Sequence, residues 1–157
     1  MGIIKSSRHS KIAGDFGESL LLYWLSKMGF EIALVDHTGI DLVAYNKQTT
    51  QRYGISVKTR TRLEGTENEG IYVDPSDINK VDEACKSFAC IPYFGFVIDR
   101  SSKVEVILIS KENMLRLNKR GKLHINVKVN SAQLENYKRL ASALFIEFEY
   151  KTSGTLT

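Results

Sequence analysis

Two residues that could act together in chemistry, Asp41 and Lys58, stand in two apolar segments separated by a polar one. The first segment, 40–44, is a short apolar run. In the second, 53–58, apolar and polar residues alternate with the period of a half-buried strand. Residues 46–51 between them are polar, so the pattern predicts a hairpin that brings Asp41 and Lys58 onto neighbouring strands. An aspartate beside a lysine could hold a divalent metal ion and a charged phosphate together.

The same two residues also have a purely structural interpretation. Asp41 and Lys58 would then form an ion pair between strands, an arrangement that contributes little stability when it is exposed. That alternative explains the pair itself. It does not explain the acid Glu18, or Arg60 and Arg62, which follow Lys58 closely.

Glu18 lies in a segment whose apolar residues recur at helical spacing. We predict a helix over 10–28 that is ended by Gly29. The recurring apolar residues are Ile12, Phe16, Leu20, Tyr23, Trp24 and Met28. Glu18 shares one face with Leu21, Leu22 and Leu25. Gly14 and Gly17 leave the helix surface bare, so a partner could approach closely. The alternative is an ordinary amphipathic helix with Glu18 exposed at its rim.

The rest of the chain alternates between predicted strands and helices. A strand over 30–35 and a turn over 36–39 lead into the hairpin, and a loop over 63–70 follows it. The later elements are a helix over 75–89 capped by Asp74, strands over 92–99 and 104–109, a short helix to 117 capped by Ser110, a strand over 125–129, a helix over 131–143 and an edge strand over 145–150. This order predicts an α/β fold with one mixed sheet covered by helices.

The composition is that of a soluble globular protein. The chain has 157 residues, of which 43% are hydrophobic and 25% charged, so we expect one domain over 1–157 with a substantial core. No apolar run approaches the length of a membrane span, and the N-terminus lacks the features of a secretory signal. We therefore expect a cytoplasmic protein without a membrane partner. Cys85 and Cys90 are interpreted as small buried residues rather than as a disulfide framework or zinc site.

The chain is mildly basic, with a formal net charge of +4 and a pI of about 9.0. That balance fits a nucleic-acid partner without requiring one. Basic residues cluster after Lys58 and in the predicted loop 118–122. The candidates for contacts with backbone phosphates are Arg60, Arg62, Lys119, Arg120 and Lys122. The basic residues within 1–9 are either a solvated tail or a further arm on phosphates.

Four segments in this order resemble the PD-(D/E)XK nuclease superfamily and, within it, the archaeal Holliday-junction resolvases. The segments are G-D-F-G-E at 14–18, G-I-D-L-V-A at 39–44, I-S-V-K-T-R at 55–60, and the helix and apolar strand that follow. The resemblance covers about residues 10–110 and implies a restriction-endonuclease-like mixed β-sheet flanked by α-helices, with an αβββαβ core and a C-terminal extension. It also implies that Asp41, the Val57 carbonyl and Glu18 hold a metal ion, and that Lys58 is the catalytic lysine.

The chain departs from the family pattern at two positions. Ile40 stands where the family often has proline, which has no chemical consequence. Ser56 stands where the family has its second metal-binding acid, and a hydroxyl is a weaker ligand for a hard cation. Glu18 could compensate, directly or through water. In some members of the family the second acid lies on the helix that follows. If this chain resembles them in that respect, the candidates are Asp77, Asp82 and Glu83.

Two functions remain open at this level. The resemblance implies a DNA endonuclease that depends on Mg²⁺ or Mn²⁺, with branched DNA among its candidate substrates and a homodimer as its assembly. The alternative is a catalytically degenerate nuclease-fold protein that only binds nucleic acid or a protein partner, and Ser56 favours that alternative. The presence together of Glu18, Asp41 and Lys58 favours the enzyme.

Overall fold

A computed structural model describes residues 4–63, 65–66 and 68–156 of the chain. Residues 1–3 of the basic N-terminal segment, Glu64 and Glu67 of the predicted loop 63–70, and Thr157 lie outside the described residues. The helices are α1 (His9–Lys27), α2 (Pro75–Ser87), α3 (Lys111–Leu117) and α4 (Ser131–Lys138). The strands are β1 (Glu31–His37), β2 (Ile40–Tyr45), β3 (Arg52–Thr61), β4 (Ile71–Val73), β5 (Ile91–Asp99), β6 (Lys103–Ser110), β7 (Ile125–Val127) and β8 (Leu144–Glu149).

The main sheet contains six strands in the order β1-β2-β3-β5-β6-β8. All its neighbours are antiparallel except β3 and β5, which run parallel from Tyr53↔Ile91 to Thr61↔Asp99. A parallel pair requires a crossover, and α2 lies in the segment that connects β3 with β5. The mixed sheet flanked by helices, with its central hairpin of β2 and β3, confirms the predicted fold class.

Alternating residues of the strands supply two apolar layers, one on each face of the main sheet. On one face, Leu21 and Leu25 of α1 pack with Leu42 and other strand residues. On the other face, Val81 of α2 packs in a larger cluster that includes Phe94 of β5. Burial of both faces explains the long apolar runs of β5 and β6. None of the helices in the described ranges is long and apolar enough to cross a membrane.

A second, two-stranded sheet departs from the predicted single sheet. β4 pairs antiparallel with β7, and the pairing aligns Ile71 with Val127 and Val73 with Ile125. These four side chains are buried in the larger apolar cluster. β4 could not be predicted from the sequence, because three residues are too few to show a period. The ends of β7 and α4 lie earlier than predicted, at 127 and 138 rather than at 129 and 143.

The buried face of α1 passes through Gly17 and includes Leu21 and Leu25 of the face predicted to hold Glu18, rather than the predicted stripe from Ile12 to Met28. Gly17, Leu21 and Leu25 are buried, whereas all six residues of that stripe are exposed or half-buried. A β carbon at position 17 would overlap the side-chain oxygen of Thr59 on β3. The helix therefore packs against β3 at its glycine. Close approach was predicted at this residue, and the structure shows that the approaching group is a strand of the same chain.

We expect Gly17→Ala to destabilise the fold, because the added methyl group has no space between α1 and β3. Overpacking of this kind costs about 1–3 kcal/mol, which exceeds the gain of about 0.5–1 kcal/mol for replacing a helical glycine by alanine. The measurement is urea unfolding of the full chain. Gly14→Ala is the matched control, since apart from its chain neighbours and its own helix backbone no described atom lies within 4 Å of a β carbon there. That control should unfold at equal or higher urea, and similar destabilisation by both would contradict the packing argument.

Candidate active site

The site begins where β2 and β3 part. Their last ladder pair is Leu42↔Ile55, yet β3 continues to Thr61 while paired with β5. Among the described residues, no strand continues the pairing along this outer edge of β3. The side chain of Asp41 replaces the missing strand partner, since its Oδ2 accepts a hydrogen bond of 2.6 Å from the backbone N–H of Val57. A buried amide that would otherwise lack a partner is thereby satisfied by a carboxylate.

Asp41 and Lys58 line one polar cavity of about 250 Å³ at this edge. The complete lining is Thr38, Gly39, Asp41, Ser56, Val57, Lys58, Asp77 and Lys80. Three parts of the fold contribute: the turn into β2 with the start of that strand, the middle of β3, and the first two turns of α2. The predicted hairpin thus brings its acid and its lysine to the same face, and α2 adds a second acid.

Lys58 forms its ion pair with Asp77. The Nζ of Lys58 lies 2.8 Å from Oδ2 of Asp77, with side-chain exposures of 20% and 30%. No ion pair joins Lys58 to Asp41 within the described part of the chain, so the structural Asp41–Lys58 pair considered from the sequence is wrong. The attraction between these half-buried opposite charges holds the two side chains together.

The three acids considered on α2 have different surroundings. Asp77 faces the cavity, because it lies in the first turn of the helix after Asp74 and Pro75. Asp82 accepts a hydrogen bond of 2.6 Å from Nζ of Lys111. Glu83 is exposed. The tertiary structure therefore selects Asp77 as the acid that shares a cavity with Asp41 and Lys58.

Burial sets the protonation behaviour of the two other acids. The pKa of Asp41 is raised above its usual value, chiefly by burial, although the Val57 N–H and the charge of Lys58 lower it. The pKa of Glu18 is also raised, first by burial and then by the negative charge of Asp41. Glu18 is not among the described residues that line the cavity, but it lies close enough to Asp41 for their charges to repel. Positive charge placed near both carboxylates would relieve that repulsion.

The oxygen atoms at the cavity match the preferences of a hard cation. The N–H and C=O groups of one strand residue point to the same side, so the carbonyl of Val57 faces the same edge as its N–H. Carboxylates of Asp41 and Asp77 and the hydroxyl of Ser56 complete an all-oxygen set, which suits Mg²⁺ or Mn²⁺. Ser56 itself is only 7% exposed. The described residues contain no group of three or more His, Cys, Asp or Glu side chains that could hold a metal ion. Backbone oxygen and water would therefore have to complete the coordination.

The two arginines that follow Lys58 have different environments. Arg60 is exposed, and its Nη1 donates to the carbonyl of Thr59 at 2.8 Å. Arg62 has a side chain only 12% exposed, and its Nη2 donates to the carbonyl of Gly70 at 2.6 Å. Burial and this hydrogen bond tie Arg62 to Gly70, and its contact with phosphate stays a prediction. Arg60 remains available to a ligand.

The other predicted basic residues lie in what we term the basic hairpin, residues 119–124. Lys119, Arg120 and Lys122 are exposed. Arg120 bridges to Ile125, and the N–H of Gly121 donates to the carbonyl of His124 at 2.9 Å. Since Ile125 pairs with Val73, the basic hairpin shares the small sheet with the segment that enters α2.

Sequence reasoning missed some residues of the cavity. Thr38 and Lys80 were not considered, although both line it. Lys80 lies one helical turn after Asp77, so the choice of Asp77 would have indicated it. The turn residue Thr38 precedes Gly39, whose positive φ of 106° carries the chain into β2. A β carbon at Gly39 would also collide with the backbone of α2 at Lys80.

Comparisons with known proteins found a match in solved structures alone. No protein-family model matches the chain, and no curated protein matches it. The structure of Hjc, a Holliday junction resolvase from the archaeal hyperthermophile Archaeoglobus fulgidus, is similar with a TM-score of 0.55 at 18% identity, over 78% of this chain and 95% of that one. A restriction endonuclease in complex with substrate DNA has a TM-score of 0.49 at 18% identity, over 97% of this chain and 76% of that one. The chain thus shares the fold of this archaeal resolvase, as its motifs predicted.

We expect Asp41→Asn to stabilise the protein at neutral pH. Because burial raises the pKa of Asp41 above 3.8, its charged form destabilises the fold above that pKa. The destabilisation disappears as the pH falls below 3.8, where the carboxyl is protonated in both states. The advantage of the variant should therefore be largest near neutral pH and vanish in acid. Urea unfolding over a pH series measures it, with the exposed Asp36→Asn as control.

The same variant should lower the pKa of Glu18. Removing the negative charge at Asp41 eliminates one of the causes that raise this pKa, while burial remains. The measurement is an NMR titration of the Glu18 side-chain carboxyl in both proteins. An unchanged Glu18 titration would contradict the electrostatic contact between α1 and the cavity.

Proposed function

We propose that the chain is a metal-dependent endonuclease that hydrolyses phosphodiester bonds in DNA. The observation that carries the proposal is the convergence of Asp41, Asp77 and Lys58 in one polar cavity. Its position supports the same conclusion, because this cavity lies at the open edge of β3 in a nuclease fold. A pure ion pair would not need a second acid, a free strand edge and a cavity in the same place.

The metal ion would be held by the carboxylates of Asp41 and Asp77 and by the carbonyl of Val57, with Mg²⁺ or Mn²⁺ as candidates. When bound, such an ion polarises the scissile phosphate and lowers the pKa of a water molecule. Asp77 supplies the negative charge that Ser56 does not. Glu18 would act through water, since its carboxylate is close to Asp41 electrostatically but outside the cavity lining.

Lys58 would provide positive charge to the reacting phosphate. Its ammonium group is fixed by Asp77 at 2.8 Å, and its charge also acts on the nearby Asp41. A fixed ammonium group can orient a water molecule by hydrogen bonding and stabilise the negative charge that develops on the phosphate oxygens. Because the group is already positioned, little reorganisation is needed when the substrate arrives.

DNA is the proposed partner, and Arg60 and the basic hairpin are its proposed phosphate contacts. The similar archaeal protein is a Holliday junction resolvase, so branched DNA is our proposed substrate and a homodimer our proposed assembly. An exposed apolar stripe on α1 supports self-association and contains Ile12, Phe16 and Tyr23. We propose that residues 1–157 form one cytoplasmic nuclease domain.

A binding protein without cleavage is the second candidate. Ser56 favours it, since the residue at the position of the family's second acid is neutral and nearly buried. In that case Asp77 would serve only to neutralise Lys58. The two functions differ in what happens when Asp77 loses its charge.

We expect Asp77→Asn, like Asp41→Ala and Lys58→Ala, to reduce Mg²⁺- or Mn²⁺-dependent cleavage by about 10²-fold or more, because each removes charge used at the reacting phosphate. The assay uses nicked, linear and four-way-junction DNA. Asp82→Asn is the matched control, since that acid lies on the same helix but bonds Lys111. It should cleave like the wild type.

Ser56 provides a complementary variant in the same assay. Ser56→Glu should change little or reduce cleavage, since Asp77 is already present and like charges would crowd the cavity. In the Asp77→Asn background, Ser56→Glu should restore part of the lost activity. Absence of cleavage in every variant would favour the binding protein, and cleavage that survives Asp41→Ala would refute the proposed site.

We expect Arg60 and Arg62 to affect DNA binding differently. Arg60→Gln should reduce the slope of log affinity against log salt by about 0.9, as expected for one lost phosphate contact. Arg62→Gln should leave the slope near that of the wild type but lower stability by about 1–3 kcal/mol, because the Gly70 carbonyl loses its charged donor. Fluorescence anisotropy over a salt series, without divalent ions, measures the slope. Equal slopes for the two variants would contradict these assignments.

A further inference from the structure

The basic hairpin carries positive charge that the fold does not neutralise. From 113 to 134 the chain contains no Asp or Glu, and its basic residues there are Arg116, Lys119, Arg120, Lys122 and Lys128. In the part of the chain that the structure describes, Lys119, Arg120 and Lys122 form no ion pair. Uncompensated cations on a projecting turn create a local positive potential that attracts a polyanion.

Leu123 is an apolar residue in the turn of this hairpin. Its exposure is 79%, and it directly follows Lys122. A single exposed leucine is ordinary on a protein surface. Leu123 differs in its setting, because it stands among three cations on a projecting turn and therefore presents an apolar group wherever those cations are bound.

The turn is supported by the small sheet of β4 and β7. The rings of Tyr72 and His124 meet at 4.2 Å between centroids, in an edge-on arrangement. Beneath them Val73 and Ile125 pair across the small sheet and are buried. Because the turn is joined directly to these paired and buried strands, its side chains are held more firmly against a ligand than those of an unsupported loop would be.

The small sheet also connects the turn to the cavity. Val73, opposite Ile125, is followed by Asp74, the N-cap of α2, and Asp77 lies in the first turn of that helix. The basic hairpin therefore flanks the end of α2 that contributes to the proposed catalytic site. A DNA strand bound to the turn could extend to the cavity.

We propose that the basic hairpin is a DNA wedge: Leu123 inserts between neighbouring bases while Lys119, Arg120 and Lys122 bind the adjacent phosphates. This inference rests on the proposed DNA partner and adds a mode of recognition by distortion. Inserted leucines unstack base steps and bend duplexes, and flexible or branched DNA is distorted most easily. An anionic membrane is less suited, because membrane binding by such a motif requires a larger apolar face than one leucine.

The test uses the full chain in EDTA, so that binding is measured without cleavage. The probes are duplexes and four-way junctions in which 2-aminopurine replaces successive adenines, because this base becomes more fluorescent when it is unstacked. The wild type should raise the fluorescence at one step. Leu123→Ala should abolish the rise while anisotropy still reports binding, and Leu123→Met should retain it, since methionine keeps an apolar wedge.

The cations are tested by neutralising all three. Lys119→Gln, Arg120→Gln and Lys122→Gln together should reduce the salt slope by about 2.7, or about 0.9 for each lost phosphate contact. The matched control neutralises the exposed Lys27, Lys86 and Lys151, which changes the net charge equally. That control should leave the slope near the wild-type value.

Several results would overturn the wedge. They are a fluorescence rise that survives Leu123→Ala, no rise at any step, an equal effect of the two charge variants, or binding to anionic vesicles without binding to DNA. Cleavage assays with Mg²⁺ separate this failure from that of the proposed function. Asp41-dependent cleavage without unstacking would remove the wedge alone, whereas Leu123-dependent unstacking without cleavage would leave the wedge on a protein that only binds DNA.

Discussion

The hydrogen bond from the Val57 N–H to the Asp41 carboxylate is the contact on which the site depends. It lies where β2 leaves β3, so a side chain completes what a strand would otherwise have provided. The acceptor is an acid at a half-buried place, and burial raises the pKa of Asp41 because it disfavours the charged form. Lys58 offsets part of this destabilisation, and Lys58 in turn is neutralised by Asp77. Charge at the cavity is therefore shared by three elements, β2, β3 and α2.

The close packing of α1 on β3 has an electrostatic consequence. Gly17 lets the helix approach Thr59, whose hydroxyl is buried and lacks a hydrogen-bond partner among the described residues. The same approach brings Glu18, the next residue, within electrostatic reach of Asp41. Repulsion between the two carboxylates costs stability when the cavity holds no cation. A site that is destabilised by its own charges is one that a cation would stabilise, in agreement with the proposed metal-dependent chemistry.

The α2 side of the sheet brings together the second acid and the proposed DNA contacts. β4 enters α2 directly, and β7 connects it to the basic hairpin. Arg62 anchors the segment before β4 by its bond to Gly70. The segment 62–74 therefore links β3 to both the small sheet and the helix that carries Asp77. This linkage gives a physical route by which DNA bound at the hairpin could be aligned with the cavity.

The sequence by itself determined the local structure and the hairpin at the centre of the fold. Some features depend only on neighbouring residues and could therefore be predicted without a structure. They are the apolar alternation in β3, the Ser110 cap of α3 and the segments around Asp41 and Lys58. Only the tertiary structure selected Asp77 over Asp82, turned Arg62 inward, buried the Gly17 face of α1 and formed the small sheet from β4 and β7. These outcomes depend on how each helix is rotated about its axis and on contacts between residues far apart in the chain. Local spacing limits such choices without making them, because several faces of one helix are chemically acceptable until another element packs against it.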